Sequence, residues 1–388
     1  MKSIIFKILM RILSRFPLKD ILIFESHPSF SCNTYPVFLE LRKRLPNYKM
    51  VWLVADNSPV PDGVDFTHNL NKFNLVNTFK WHWYRSCARA FISSNRYRPM
   101  KKTRDSQLSM SLSHGCKIKK TKKHNYCPGP YVDYLNIQSH FFDDITCYEY
   151  EAGINQLVYL GFPRCDWLFA KNDISRQLST IGVKGNFLIW LPTFRKNVNN
   201  LSRDVNSSKY NSMGIPLLYN EEMILDFNKF LKQLNLHVIF KPHPSQDVSS
   251  LKRISISNIH IISDKTLANL GIQLYQVIAE SKALISDYSS VFFDYLLLNR
   301  PIAVTVDDKE EWLKDEGFAY DVDSIFQKTT EHVADLGELC DFIQNVVVDG
   351  KDEKCEARQE MCKKVIIHRD GNSARRVADF VMEKIGAK

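Results

Sequence analysis

Short apolar runs bounded by polar turns recur along the chain and alternate with stretches of helical period. Asp20–Ser26 (DILIFES) and Lys49–Ala55 (KMVWLVA) flank a helical pattern over Pro36–Arg44, which predicts a strand, helix, strand unit of a parallel sheet. Arg89–Ser93 and Gln156–Leu160 predict further strands. A second series begins near Gly185 with FLIWLP, then a polar stretch rich in Asn and Ser (Asn197–Ser212) and a helix over about Glu221–Leu234. It continues through HVIFKP, IHII near Ile259, ALISD, a helix and PIAVTV. Runs that are continuously apolar suit strands covered on both faces. With 388 residues, two cores are expected rather than one. The pattern predicts two doubly wound α/β domains facing a central cleft, residues 1–175 and 183–370, divided where a polar segment ends in Gly182-Val-Lys-Gly185. A last helix, Ser373–Ile385 within 371–388, is expected to cross back to the first domain.

At the amino terminus, Ile4, Ile5, Ile8, Leu9, Ile12, Leu13 and Phe16 share one helical face, and Lys7, Arg11 and Arg15 line the other. Charges recur too often for a membrane span, and no small-residue cleavage site follows. The segment reads as a basic amphipathic helix, suited either to the interface of an anionic bilayer or to packing on its own domain. Charge along the chain sharpens this. Met1–Asn125 carries 23 Lys and Arg against 7 Asp and Glu, whereas the remainder carries 29 against 36. A cationic end calls for an anionic membrane surface, polyphosphate acceptor or nucleic acid as partner. Without a zinc finger, RNP motif or basic region with heptads, no nucleic-acid partner is expected. The nine cysteines are odd in number and lack a C-x-x-C pair, so they read as free thiols of a reducing cytosol with no metal site. Asp321-Val-Asp323 resembles a metal motif but reads as an ordinary loop.

Five segments offer chemistry at strand ends. In Lys282–Arg300, a buried strand runs into Asp287-Tyr-Ser-Ser and then into an apolar helix, placing Ser289 and Ser290 where unpaired N–H groups attract anions. Plain N-capping explains the same spacing. His243 follows the HVIFKP strand, with Lys241 two residues before it and prolines on both sides restricting the loop. His114 lies in a basic loop region, Met100–His124, beside Gly115, Lys117, Lys119 and Lys120. A neutral imidazole there can accept the proton of an attacking hydroxyl. Gly161-Phe-Pro-Arg-Cys-Asp166 and Leu191-Pro-Thr-Phe-Arg195 supply Thr193 and two arginines, Arg164 and Arg195, able to make forked contacts with phosphate. Taken singly, each segment reads equally well as structural.

Taken in order, the segments resemble the CDP-glycerol glycerophosphotransferase family, which makes teichoic acids and related capsular polymers, over about residues 105–375. The family's H-G-T-x-x-K stretch matches His114-Gly-Cys-Lys-Ile-Lys, its G-[YF]-P-R-x-D stretch Gly161–Asp166, and its A-P-T-[WF]-R stretch Leu191–Arg195. Its H-P loop matches His243-Pro244, and its [TS]-D-Y-S-S-x-x-F-D stretch matches Ser286–Asp294 followed by Arg300-Pro301. A closing D-G-x-[SA]-x-x-R element matches Asp370–Arg376. Cys116 stands for the usual Thr, Leu191 for Ala, and Lys282 for an acidic residue.

The resemblance implies a GT-B fold with a CDP-linked donor in the carboxyl-terminal half and two essential histidines, His114 and His243. It implies transfer of glycerol phosphate, or a related polyol phosphate, from CDP-glycerol or another CDP-polyol to a lipid-linked glycan or polyol-phosphate acceptor. CMP leaves, and the protein is expected on the inner face of the cell membrane, with neither metal nor cofactor. On this reading Thr193, Arg195, Lys241, Asp287, Ser289, Ser290 and Arg164 serve the donor, and Lys117, Lys119 and Lys120 the acceptor. Two alternatives stay open: a GT-B glycosyltransferase using a nucleotide sugar, and a membrane-associated scaffold without catalysis.

Overall fold

The computed structural model describes residues 12–13, 15–55, 57–72, 74–95, 100–118, 120, 129–193, 215–243, 251–315 and 317–387. It divides into two compact units. Unit 1 comprises residues 1–116, 122–169 and 365–388, and unit 2 comprises 117–121 and 170–364.

Unit 1 is built on a seven-stranded parallel sheet: β1 (Ile21–Glu25), β2 (Lys49–Val54), β3 (Phe66–Asn69), β4 (Ala90–Ser93), β5 (Leu108–Ser111), β6 (Tyr134–Asn136) and β7 (Leu157–Val158). Their order is β3-β2-β1-β4-β5-β6-β7, so the chain winds outward from β1 in one direction and restarts at β4 in the other. Side chains alternate faces along a strand. Leu22 and Phe24 accordingly join one core with Phe38, Trp52, Ile92 and Met110, while Ile21 and Ile23 join another with Val51, Trp81 and Phe91. Both faces are covered, and this is why β1 is apolar throughout. The final helix, Ser373–Ile385, completes the first of these cores with Val377, Ala378 and Val381, all wholly buried.

Unit 2 repeats the plan with six parallel strands: β8 (Phe187–Leu191), β9 (His237–Phe240), β10 (Ile259–Ile261), β11 (Leu284–Ser286), β12 (Ile302–Thr305) and β13 (Glu331–Val333). Their order, β10-β9-β8-β11-β12-β13, again reverses beside the first strand of the series. Leu188, Trp190, Val238, Phe240 and Ile285 pack against Phe227 and Leu231 of the Glu221–Gln233 helix. Two such Rossmann-like units in one chain are a GT-B type fold.

The region expected as a basic loop, Met100–His124, contains β5 instead. Its sequence, LSMS, escapes a search for apolar runs because two of its four residues are serines, yet all four are buried. Asp321-Val-Asp323 is likewise no loop. Asp321 caps the Val322–Thr329 helix by accepting from the Ser324 N–H at 3.1 Å, and Asp323 pairs with Lys309 at 2.6 Å.

Candidate active site

Unit 1 places His114 just beyond the carboxyl end of β5. Leu112 and Ser113 continue buried from the strand, Ser113 turns the chain with φ of 55°, and His114 emerges exposed. The turn is held from beneath. Ser113 Oγ donates to Asn136 O at 2.6 Å. Asn33, wholly buried, donates through Nδ2 to Leu112 O and Ser113 O at 3.0 Å each, and its Oδ1 accepts from the Arg164 N–H at 3.2 Å. One amide thus joins the loop after β1, the end of β5 and the Pro163–Leu168 turn. Buried amides with both ends satisfied rigidify what they join.

Arg164 is only 6% exposed. Its Nη1 donates to His114 O at 2.5 Å, and its guanidinium lies 5.3 Å from the Phe162 ring centroid. Expected from sequence at the donor, it sits in unit 1 beneath the His114 loop. Cys32 stands beside the same ring: its Sγ is 3.6 Å from His114 Nδ1 and 3.6 Å from Arg164 Nη1. Burial opposes ionisation of this thiol, but the His114 imidazole and then the Arg164 guanidinium outweigh it and bring it down to about 6.

Gly161–Asp166 and Asp370–Arg376, matched separately in the sequence, form one structural unit. The Asp166 carboxylate accepts from the Ser373 and Ala374 N–H groups at 2.9 and 2.7 Å, capping the last helix. Burial raises its pKa, and these bonds oppose the rise. Arg376 pairs with Asp370 through two bonds of 2.7 and 2.9 Å and donates to Leu160 O at 3.1 Å. Gly161 has φ of 79°, and a β-carbon there would lie 2.5 Å from Ser373 Oγ. Glycine is therefore required twice over.

In unit 2, the adjacent strands β8 and β11 end together, with Ser286 in register with Leu191 and Ser286 Oγ donating to Leu191 O at 2.7 Å. One residue further, Asp287 is wholly buried. Its carboxylate accepts from the Thr193 N–H at 2.8 and 3.0 Å and from Thr193 Oγ1 at 2.8 Å. This junction lies where the strand order reverses, the place at which doubly wound sheets receive ligands. Ser289 and Ser290 follow, partly exposed, and lead into the Val291–Tyr295 helix; the Ser290 side chain makes no capping bond.

The rest of that motif lies beneath. Tyr288 stacks on Trp312 with centroids 4.3 Å apart. Buried Asp294 accepts from Tyr275 Oη, Tyr295 Oη lies 2.9 Å from Ser281 Oγ, and Arg300 Nη1 donates to the carbonyls of Ala279 and Ser281. These bonds tie the segment that follows the two serines to the Leu274–Glu280 helix and to Ser281 just after it.

Lys241 is engaged within its own unit: its side chain is 10% exposed and its Nζ lies 2.9 Å from Asp264 Oδ1. His243 is exposed two residues on. Lys117 and Lys120 group with unit 2, where Ala319 N donates to Ile118 O at 2.8 Å and Lys120 N to Gly317 O at 3.0 Å. Arg15 is exposed. Lys7, Arg11, Lys119, Arg195 and Pro244 lie outside the described residues.

Two features escaped sequence reasoning. Cys32 is 82 residues from His114, and only the fold brings them together. The Leu75–Cys87 helix leaves Leu75, Val76 and Phe79 74%, 63% and 55% exposed, an apolar surface that its mixed sequence does not announce. Among the described residues, no helix is long and apolar enough to cross a membrane.

Known proteins share this chain's plan throughout. It is 26% identical over 369 residues to the teichoic acid poly(glycerol phosphate) polymerase of Bacillus spizizenii, covering 85% of this chain and 86% of that protein. It is 25% identical over 338 residues to the teichoic acid ribitol-phosphate primase of the same organism, covering 79% and 78%. The structure of the wall teichoic acid polymerase TagF, soaked with CDPG, superposes with a TM-score of 0.74 at 16% identity, over 99% of this chain and 95% of that one. Residues 8–383 match a family described as CDP-Glycerol:Poly(glycerophosphate) glycerophosphotransferase, and the chain belongs to that family.

Proposed function

We propose that this transferase moves glycerol phosphate, or a related polyol phosphate, from a CDP-activated donor to a hydroxyl of a membrane-linked acceptor, releasing CMP, in teichoic acid synthesis. The observation that carries the reading is the Asp287–Thr193 junction at the strand-order reversal of unit 2, with two serine hydroxyls just beyond it. Asp287 holds the loop after β8 in place, and Ser289 and Ser290 donate to the diphosphate together with the N–H groups of their turn. His243 protonates the departing CMP oxygen. Lys241 reaches a phosphate only by leaving Asp264.

His114 acts on the acceptor. Its exposed imidazole takes the hydroxyl proton as the oxygen bonds phosphorus and the bond from phosphorus to CMP breaks. Positioning and charge neutralisation supply most of the acceleration in such transfers. Arg164 serves this step through the His114 loop rather than by touching the donor.

The acceptor's lipid fits the chain's charge: 23 Lys and Arg against 7 Asp and Glu up to Asn125. Exposed Leu75, Val76 and Phe79 add apolar contact, so we place the protein at the inner face of the membrane.

The test is CMP release with CDP-glycerol, CDP-ribitol and a panel of UDP-, GDP- and CMP-sugars, each with lipid-linked acceptors. Release from a CDP-polyol alone supports the reading. Turnover of a nucleotide sugar instead would make the chain a glycosyltransferase.

A further inference from the structure

Among the described residues, no carboxylate bonds the His114 ring, although a base beside a guanidinium needs an anion to keep its proton affinity. The sulfur of Cys32, 3.6 Å from Nδ1, occupies the place an orienting carboxylate would take. We propose that Cys32 is the positioning partner of His114: as a thiolate it accepts the Nδ1 proton, fixes the tautomer whose Nε2 faces the acceptor hydroxyl, and balances the imidazolium formed during transfer. This rests on the reading of His114 as the base.

Three observations support it. The titratable and charged groups that face the sulfur are His114, from the loop after β5, and Arg164, from the Pro163–Leu168 turn, and together they hold the thiol near 6, ionised at neutral pH. Arg164 Nη1 spans His114 O and Cys32 Sγ, at 2.5 and 3.6 Å, so one guanidinium sets both partners. The backbone is held in an unfavourable form to present the sulfur. Cys32 and Phe30 both have φ of 56°, a left-handed conformation that a residue with a β-carbon disfavours. Ser26 and Ser31 stabilise the loop: Ser26 Oγ accepts from the Ser31 N–H at 3.0 Å and donates to Pro28 O at 2.8 Å, and Ser31 Oγ donates to the same carbonyl at 2.6 Å. Glycine would adopt this turn without strain but would bring no sulfur.

In the transfer, the hydroxyl proton passes to Nε2 and the acceptor oxygen bonds phosphorus as the bond to CMP breaks. The sulfur keeps its lone pair and Nδ1 its proton, so Cys32 undergoes no covalent change.

Two measurements on the full chain test the proposal. Iodoacetamide labelling of Cys32, followed by mass spectrometry across pH, should show a midpoint near 6 in the wild type. In His114→Ala the midpoint should move up toward the ordinary thiol value of about 8.5. CMP release should fall about 10- to 100-fold in Cys32→Ala. The acid limb of its kcat/KM profile should move to lower pH, because the imidazolium has lost its counter-charge, and Cys32→Asp should restore both rate and limb. An ordinary labelling midpoint in the wild type overturns the proposal whether or not the variants fold. So does a Cys32→Ala protein with unchanged rate and limb. Full turnover in His114→Ala would instead remove the base assignment on which the proposal stands.

Discussion

At the end of β5 His114 is exposed and the groups supporting its loop, Asn33, Ser113 and Arg164, are buried. At the ends of β8 and β11 the arrangement is inverted: Asp287 is wholly buried and bonded to the neighbouring loop, while Ser289 and Ser290 are partly exposed. The first region separates chemistry from scaffold, and the second merges them. Substitutions should therefore split activity from stability in unit 1 and lower both together in unit 2.

The largest expected effect is kinetic. His114→Ala should slow CMP release by about 10²- to 10⁴-fold if the ring is the base, while its unfolding free energy, compared below pH 6 where Cys32 is protonated in both proteins, stays within about 0.5 kcal/mol of the wild type because the side chain is exposed. A parallel loss of stability in denaturant titration would erase the contrast. Asp287→Ala should do what His114→Ala does not. It strands the Thr193 N–H and hydroxyl at the strand ends, costing about 2–4 kcal/mol, and should raise KM for the CDP-linked donor. Urea unfolding and initial rates together check it.

Much of this architecture was legible because parallel strands covered on both faces must be apolar along their length. DILIF, KMVWLV, FLIWL, HVIF, ALIS and PIAVT announce β1, β2, β8, β9, β11 and β12 on that ground. β5 was not legible, since its buried serines remove the apolar run, and β3 (FTHN) is only half-buried and half-polar. The placement of Asp287, Ser289 and Ser290 just after β11 was legible because sequence-adjacent residues at a strand end stay adjacent in space. The contacts of Arg164 and Lys241 were not. A charged side chain declares its affinity but not its partner, and theirs, His114 O and Asp264, are 50 and 23 residues away.

Smaller effects sharpen the picture of unit 1's scaffold. Gly161→Ala should cost about 1–3 kcal/mol, from a left-handed φ and a clash with Ser373, and should slow CMP release less than His114→Ala does. Thermal melting beside the rate assay separates the two. The smallest effect concerns Asp370, which its hydrogen bonds to Arg376 hold down to about 2. Its carboxylate contributes stability above the ordinary carboxylate value of about 3.9, and the contribution disappears as pH falls through about 2. The pair is solvated, so the gain is below about 1 kcal/mol. Unfolding curves of wild type and Asp370→Asn should differ slightly at neutral pH and converge in acid.

The Ser373–Ile385 helix gives unit 1 the last side chains of its core, Val377, Ala378 and Val381, after the whole of unit 2 has been traversed. During synthesis, unit 2 therefore has its full complement of strands before unit 1 does its full core. Until residue 381 clears the ribosome, the core that β1, β2 and β4 share with Val37, Phe38 and Leu41 lacks its last side chains, a window for chaperone capture. Order of translation and order of completion run opposite ways, and a nascent polypeptide holds an assembled second unit before its first is closed.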